Sequence, residues 1–286
     1  VAARPDPTDP YLIEVVRAWD RPRYVATLFA PAAARPALFA LYAFAAEVAR
    51  VPGQVREAGL GEVRLQWWRE AVERVAGGAP GETPVLRALG EAMAAHGLPA
   101  DALVELIEAC RDDLYADPPA SRTELEAYLG HTQSALFQLA SLILGGDGTR
   151  TADAAGHAGV AYGLARRLAQ LARERARGRS IVPADYLWEH GLQADSFASP
   201  AAVSGLAGAV AAVAELAEGH LGEATQELPL VGRAGRAAFL PLATVRPLLN
   251  RIRREGEGIV TRPVSLPRLA IVSRITFAAL SWPRGF

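Results

Sequence analysis

The sequence has no lysine, and only one cysteine, one methionine and one asparagine in 286 residues. A single cysteine, Cys110, permits no intrachain disulfide. That excludes a small disulfide-stapled scaffold and points to a reducing compartment. Every one of the thirty basic residues is arginine, and thirty-one acids leave a formal net charge of -1. This balance argues against a duplex nucleic-acid binder, which needs surplus basic charge to face phosphates. With 51% apolar and 21% charged residues the chain is also not an intrinsically disordered one. The absence of lysine reads first as codon bias and only second as a preference for arginine's forked donors at an anionic site.

Long hydrophobic runs are missing as well. A membrane-spanning helix needs roughly 20 consecutive apolar residues. The richest stretch, 201–216, is alanine, valine and glycine with two leucines, and reads as a close-packed buried helix. The first ten residues, VAARPDPTDP, lack the apolar core of a signal peptide. The expectation is a soluble, cytoplasmic protein, with peripheral contact to the inner membrane left open. The sequence shows no glycine-rich phosphate loop, no dinucleotide fingerprint and no nucleophile elbow. His131, His157, His190 and His220 have no ligand spacing with cysteine or carboxylates and read as ordinary.

What is present is helical periodicity. Apolar residues recur at three and four along almost the whole chain, and period-two alternation is rare. Asp9-Pro10 supplies an N-cap and a first-turn proline. Helices are expected over about 36–51, from 61 onward, and over 83–95, 100–115, 122–145, 151–175, 184–190, 200–227, 233–256 and 266–281. Breakers at Pro52-Gly53, Gly77-Gly78, Pro118-Pro119, Gly145-Gly146 and Gly178 separate several of them. The simplest architecture is one all-α domain over residues 1–286, with helices around a central cavity or core.

Residues 24–53 hold an arginine, Arg35, followed by Tyr42-Ala43-Phe44 on a helix. Residues 105–114 end in Asp113-Leu114, and 159–183 end in Gly178-Arg179 and Pro183. In this order and spacing the blocks resemble the squalene/phytoene synthase superfamily over roughly 24–280. The resemblance implies an isoprenoid synthase-like helical bundle. Its enzymes ionise allylic diphosphates and join two isoprenoid chains, using magnesium held by paired aspartates on two facing helices. Residues i and i+4 share one helical face, so such pairs would point together into the cavity.

This chain departs from that device. Counted from Tyr42, the first set of aspartate positions falls on Ala49, Arg50 and Gly53. Counted back from Gly178-Arg179, the second falls on Gln170 and Glu174, inside a run that also holds Arg166, Arg167, Arg173, Arg175 and Arg177. Of these five counted positions only Glu174 is a carboxylate, and each lost charge-assisted contact costs about 1.5–3 kcal/mol. The arginine run reads equally well as a solvated helix face. Arg64-Leu65-Gln66-Trp67-Trp68 and Tyr128…Thr132-Gln133-Ser134 are similar to one branch in particular. That branch is the mitochondrial complex I assembly factor of phytoene-synthase type and its bacterial relatives, which is described as lacking the aspartate motifs.

The resemblance therefore implies a catalytically degenerate protein acting as an assembly or binding factor, with respiratory complex I subunits as partners and no cofactor or metal. A retained apolar cavity would hold a lipid or isoprenoid tail. The alternative is an active head-to-head prenyltransferase in which Glu47, Glu70, Asp112, Asp113 and Glu174 serve as relocated magnesium ligands. A third reading is a lipid carrier without assembly duties. Candidate cavity residues are Arg35, Tyr42, Arg64, Trp67, Trp68, Asp113, Gln133, Ser134 and Arg179. Each has a plainer role as well. One adjacent tryptophan belongs to the core, Gln133 and Ser134 would bond a neighbouring helix, and Arg179 would pair with Glu174 or Asp113.

Overall fold

The computed structural model describes residues 8–193, 197, 199 and 202–286. Fifteen α-helices and no strand occur among them. The first six are α1 (Pro10–Trp19), α2 (Arg21–Thr27), α3 (Arg35–Gln54), α4 (Ala58–Ala76), α5 (Pro84–His96) and α6 (Ala100–Ala109). Next, α7 (Arg122–Leu129) runs through a π-turn at Gly130–Ser134 into α8 (Ala135–Ile143). Then come α9 (Gly148–Ala169), α10 (Leu171–Ala176), α11 (Ala184–Glu189) and α12 (Val203–Glu227). The chain closes with α13 (Arg236–Phe239), α14 (Val245–Glu255) and α15 (Arg268–Leu280).

Local chemistry sets many of these boundaries. Asp9 caps α1 by accepting the Tyr11 amide at 2.8 Å, and Asp20 caps α2 by accepting the Arg23 amide at 3.0 Å. The second of these helices was not expected from periodicity, because seven residues give too short a pattern. Four expected helices are divided, the 100–115 one ending at Ala109 with a 3₁₀ turn at Asp112–Leu114. The 122–145 segment widens into the π-turn, 151–175 bends at Gln170, and 233–256 tightens to a 3₁₀ turn at Leu240–Thr244 around Pro241. Pro52 does not stop α3, which runs to Gln54. It lies in the last turn, where few following residues depend on the ladder.

The core is built on α3, where residues 37 to 46 are all buried. The 32–54 segment is long and apolar enough to cross a membrane, contrary to the sequence expectation, yet two-thirds of its most apolar window is buried within the bundle. α9 packs most closely, against α12 and the π-turn, through small residues such as Ala158, Gly159, Ala161 and Ala165. A Cβ at Gly159 would lie 2.2 Å from both the Cα and the amide nitrogen of Ser134. Only glycine allows that approach.

Candidate functional site

α3 and the α9–α10 segment face one another across a cavity of about 760 Å³. All five positions counted from the family blocks line it: Ala49, Arg50 and Gly53 on one side, Gln170 and Glu174 on the other. Tyr42, Asp113, Gln133 and Arg179 line it too. The cavity is not apolar. Thirteen of its 32 lining residues are charged, seven arginines against six acids, set among apolar wall.

The charges are organised in three groups. At the second helix, Arg179 donates from Nε to Glu174 at 2.8 Å and from Nη1 to the Asp113 carbonyl at 2.7 Å. Arg177 reaches the same Glu174 at 3.2 Å. A Cβ on Gly53 would lie 3.9 Å from the Arg177 guanidinium, so an arginine stands in the gap between the two facing helices. At the wall, the Asp113 carboxylate accepts from Tyr128 Oη at 2.6 Å and pairs with Arg167 at 3.2 Å. Asp112 next to it has its carboxyl pushed up by burial, by Asp113 and by Glu124.

The third group lies at the floor. Asp20 accepts from Tyr162 Oη at 2.6 Å and pairs with both Arg166 and Arg23. Burial alone would raise the Asp20 carboxyl, but the two guanidiniums and the Tyr162 hydrogen bond outweigh it and hold it below the usual range. Arg23 is 4% exposed and sits among the rings of Tyr42, Phe137 and Tyr162 at 5.0–5.3 Å. It donates to Gln133 Oε1 at 3.0 Å, and its Nη2 has no hydrogen-bond partner. Burial pushes the Tyr42 phenol up to about 12.

The remaining candidates lie elsewhere. Arg35 is outside the cavity; its guanidinium is taken by the carbonyls of Ala30 and Leu28, both at 3.0 Å, where it fastens the turn before α3. Arg64, Trp67 and Trp68 line a separate, smaller cavity of about 320 Å³ with Glu47, Val51, Gln54 and Thr83. Trp68 is the buried partner and meets Phe44 edge-on at 5.7 Å. Ser134 donates to the Gly156 carbonyl on α9 at 2.8 Å. The arginine run is solvated only in part: Arg173 and Arg177 are exposed, but Arg166, Arg167 and Arg179 are each bonded into the wall.

A family model described as squalene/phytoene synthase matches residues 16–270. The chain belongs to the squalene/phytoene synthase family. It is 30% identical over 247 residues to human NADH dehydrogenase (ubiquinone) complex I, assembly factor 6, covering 86% of this chain and 74% of that protein. The Drosophila melanogaster homolog of that factor is 30% identical over 270 residues, 90% of this chain and 80% of the relative. Among solved structures, squalene synthase HpnC from Alicyclobacillus acidocaldarius superposes with a TM-score of 0.74 at 26% identity, covering 86% of this chain and 93% of that one. A dehydrosqualene synthase superposes at 0.78 with 16% identity, covering 93% and 94%, and shows the isoprenoid synthase fold alone.

The squalene/phytoene synthase resemblance implies a magnesium cluster, and the side chains here do not fit one. Magnesium takes a near-octahedral set of oxygens at about 2.0–2.1 Å, usually one or two carboxylates with water and substrate phosphate, so a cluster of ions needs several free carboxylates facing one space. Of the relocated candidates, Glu174 is held by two arginines and Asp113 by Arg167 and Tyr128. Glu47 is taken by Arg50 at 3.2 Å and Tyr11 at 2.9 Å, Glu70 lines neither cavity, and Asp112, which lines the larger one beside Asp113, is left as a single carboxylate without an ion pair among the described residues. Among the described residues no three His, Cys, Asp or Glu side chains are grouped so as to hold a metal ion.

Sequence reasoning missed Asp20, Arg23 and Tyr162 altogether. They come from α1–α2 and α9, 142 residues apart in the case of Asp20 and Tyr162, and belong to no local pattern. The one available signal was Asp20-Arg21-Pro22, a cap before a first-turn proline that fixes where a buried carboxylate would start a helix. His157 and His220, read as ordinary, meet through their Nδ1 atoms at 2.9 Å, and His220 Nε2 lies 2.9 Å from Glu126.

Proposed function

We propose that this chain is a catalytically degenerate member of the squalene/phytoene synthase family. In this reading it serves as an assembly or binding factor for respiratory complex I. One observation carries the proposal: the gap between the two facing helices holds Arg177 and Arg50 where a metal-dependent synthase needs carboxylates. A guanidinium there repels a divalent cation and attracts an anion directly. The two relatives named as complex I assembly factors support the assembly role.

The cavity is retained, and its chemistry favours an amphiphile with an anionic head. Arg50, Arg173 and Arg177, bonded here to Glu47, Gln170 and Glu174, would turn to meet the head without metal, while Ala45, Leu129, Leu136 and Ile181 offer apolar wall. The 26% identical squalene synthase keeps the enzymatic reading as the rival. The test is incubation with farnesyl or geranylgeranyl diphosphate and magnesium. The expected result is no pyrophosphate release above the protein-free rate; sustained release defeats the proposal. In a strain deleted for the gene, mature complex I on native gels should fall, and unchanged complex I would defeat the assembly role.

A further inference from the structure

The last 29 residues, 258–286, contain Arg262, Arg268, Arg274 and Arg284 and no acid, in a chain whose overall charge is close to zero. Arg262 pairs back to Glu255 at 2.6 Å, which leaves Arg268, Arg274 and Arg284 as the free basic charge of the segment. Their main element is α15. Its inner face is settled: Ile271, Ile275 and Ala278 are buried against Val25 and Ala26 of α2 and against Leu240 and Ala243. Its outer face is not polar, as a surface helix's would ordinarily be. Leu269 is 79% exposed, Leu280 82% and Phe277 58%, with Val272 exposed beside them.

At 100° per residue these four side chains fall within an arc of about 140°, which also holds exposed Ser273, its hydroxyl bonded to the Ala270 carbonyl at 3.1 Å, and half-buried Thr276. Arg268 and Arg274, both exposed, stand on its two borders. Arg284 is exposed just beyond the helix. Apolar side chains in the middle with arginines at both edges is the layout of a helix lying in a lipid interface. Long arginine stems then cover the apolar rim while the guanidiniums reach the phosphate level. A second copy of this chain is the poorer occupant, because a two-fold contact through α15 brings the same arginines near one another with no acid between them.

We infer that the outer face of α15 docks this protein onto an anionic phospholipid surface, with Leu269, Phe277 and Leu280 entering the acyl boundary and Arg268 and Arg274 meeting lipid phosphates. The face is on the opposite side of α15 from its packing on α2, so docking needs no unfolding. It is independent of what occupies the cavity and of the assembly role.

The experiment is co-sedimentation of the full chain with phosphatidylcholine vesicles containing about a third phosphatidylglycerol, alongside pure phosphatidylcholine vesicles. The protein should pellet with the anionic vesicles, weakly or not at all with the neutral ones, and be released by high salt. Replacing Leu269, Phe277 and Leu280 together by serine should cut partitioning by about tenfold or more. Arg268→Gln and Arg274→Gln should each cut it by about fivefold. Circular dichroism and size-exclusion profiles matching the parent confirm that the variants fold. Failure of the parent protein to bind anionic vesicles, equal binding to neutral ones, or unchanged binding by the folded triple variant would overturn the inference. So would a dimer that the triple variant converts to a monomer.

Discussion

Asp20 is the most exacting test of how this bundle handles buried charge. It is 3% exposed and receives the Tyr162 hydroxyl, the Arg23 amide, the Arg23 guanidinium and Arg166. Asp20→Asn keeps the shape and an oxygen able to cap α2, but leaves both guanidiniums without a counter-charge. Removing one member of a buried pair costs about 3–5 kcal/mol. The Arg166 side chain is 28% exposed and can rehydrate, which puts the expected loss at the lower end, about 3 kcal/mol. At about 2–4 °C per kcal/mol for a chain of this size, the midpoint should fall by roughly 6–12 °C. Thermal melts followed by circular dichroism would measure the midpoint, and denaturant melts the free energy.

The same substitution has a pH signature. The folded Asp20 carboxyl is held below its ordinary value, so its contribution is present above the unfolded aspartate value near ~3.9. It is lost as the pH falls through the lower folded value. The stability gap between parent and Asp20→Asn should therefore be level across neutral pH and shrink below about pH 4. A loss under about 1 kcal/mol, or a gap undiminished in acid, would refute the reasoning.

Other expectations follow from the same geometry. Gly159→Ala forces a methyl into the Ser134 backbone and should cost about 1–3 kcal/mol or more. Gly156→Ala, one turn earlier with open space around its Cβ position, should be neutral or stabilise by about 0.5–1 kcal/mol; equal effects at the two sites would contradict the packing described. Cys110 is 2% exposed and burial raises its thiol far above the ordinary range. It should resist a thiol reagent until denaturant is added, and rapid labelling of folded protein would disprove its placement. Ten-millimolar-scale magnesium should shift the melting midpoint by less than about 1 °C, since only a bound ligand stabilises; a rise of several degrees would mean a real cation site.

Much of the candidate site was legible because family blocks can be counted. Tyr42 and Gly178-Arg179 fixed Ala49, Arg50, Gly53, Gln170 and Glu174, and all five line one cavity. Arg35 was misplaced for a physical reason: proximity to a motif does not say which way a long side chain turns, and here two carbonyls claim it. The arginine run shows the same limit. Along the chain, charges at 166, 167, 173, 177 and 179 look like solvent-facing residues, and only partners from the α1–α2 junction and from the 112–114 turn reveal that three of them are wall.

By itself the sequence determined most of the helices, their order and the residue types at the positions counted from the family blocks, because periodicity, caps and counting are local. Tertiary structure alone decided that Arg177 fills the gap beside Gly53, that Asp20, Arg23 and Tyr162 form a buried charged floor, and that α15 leaves an apolar face outward. Each depends on which helices come together, and burial and Coulomb forces act through space rather than along the chain.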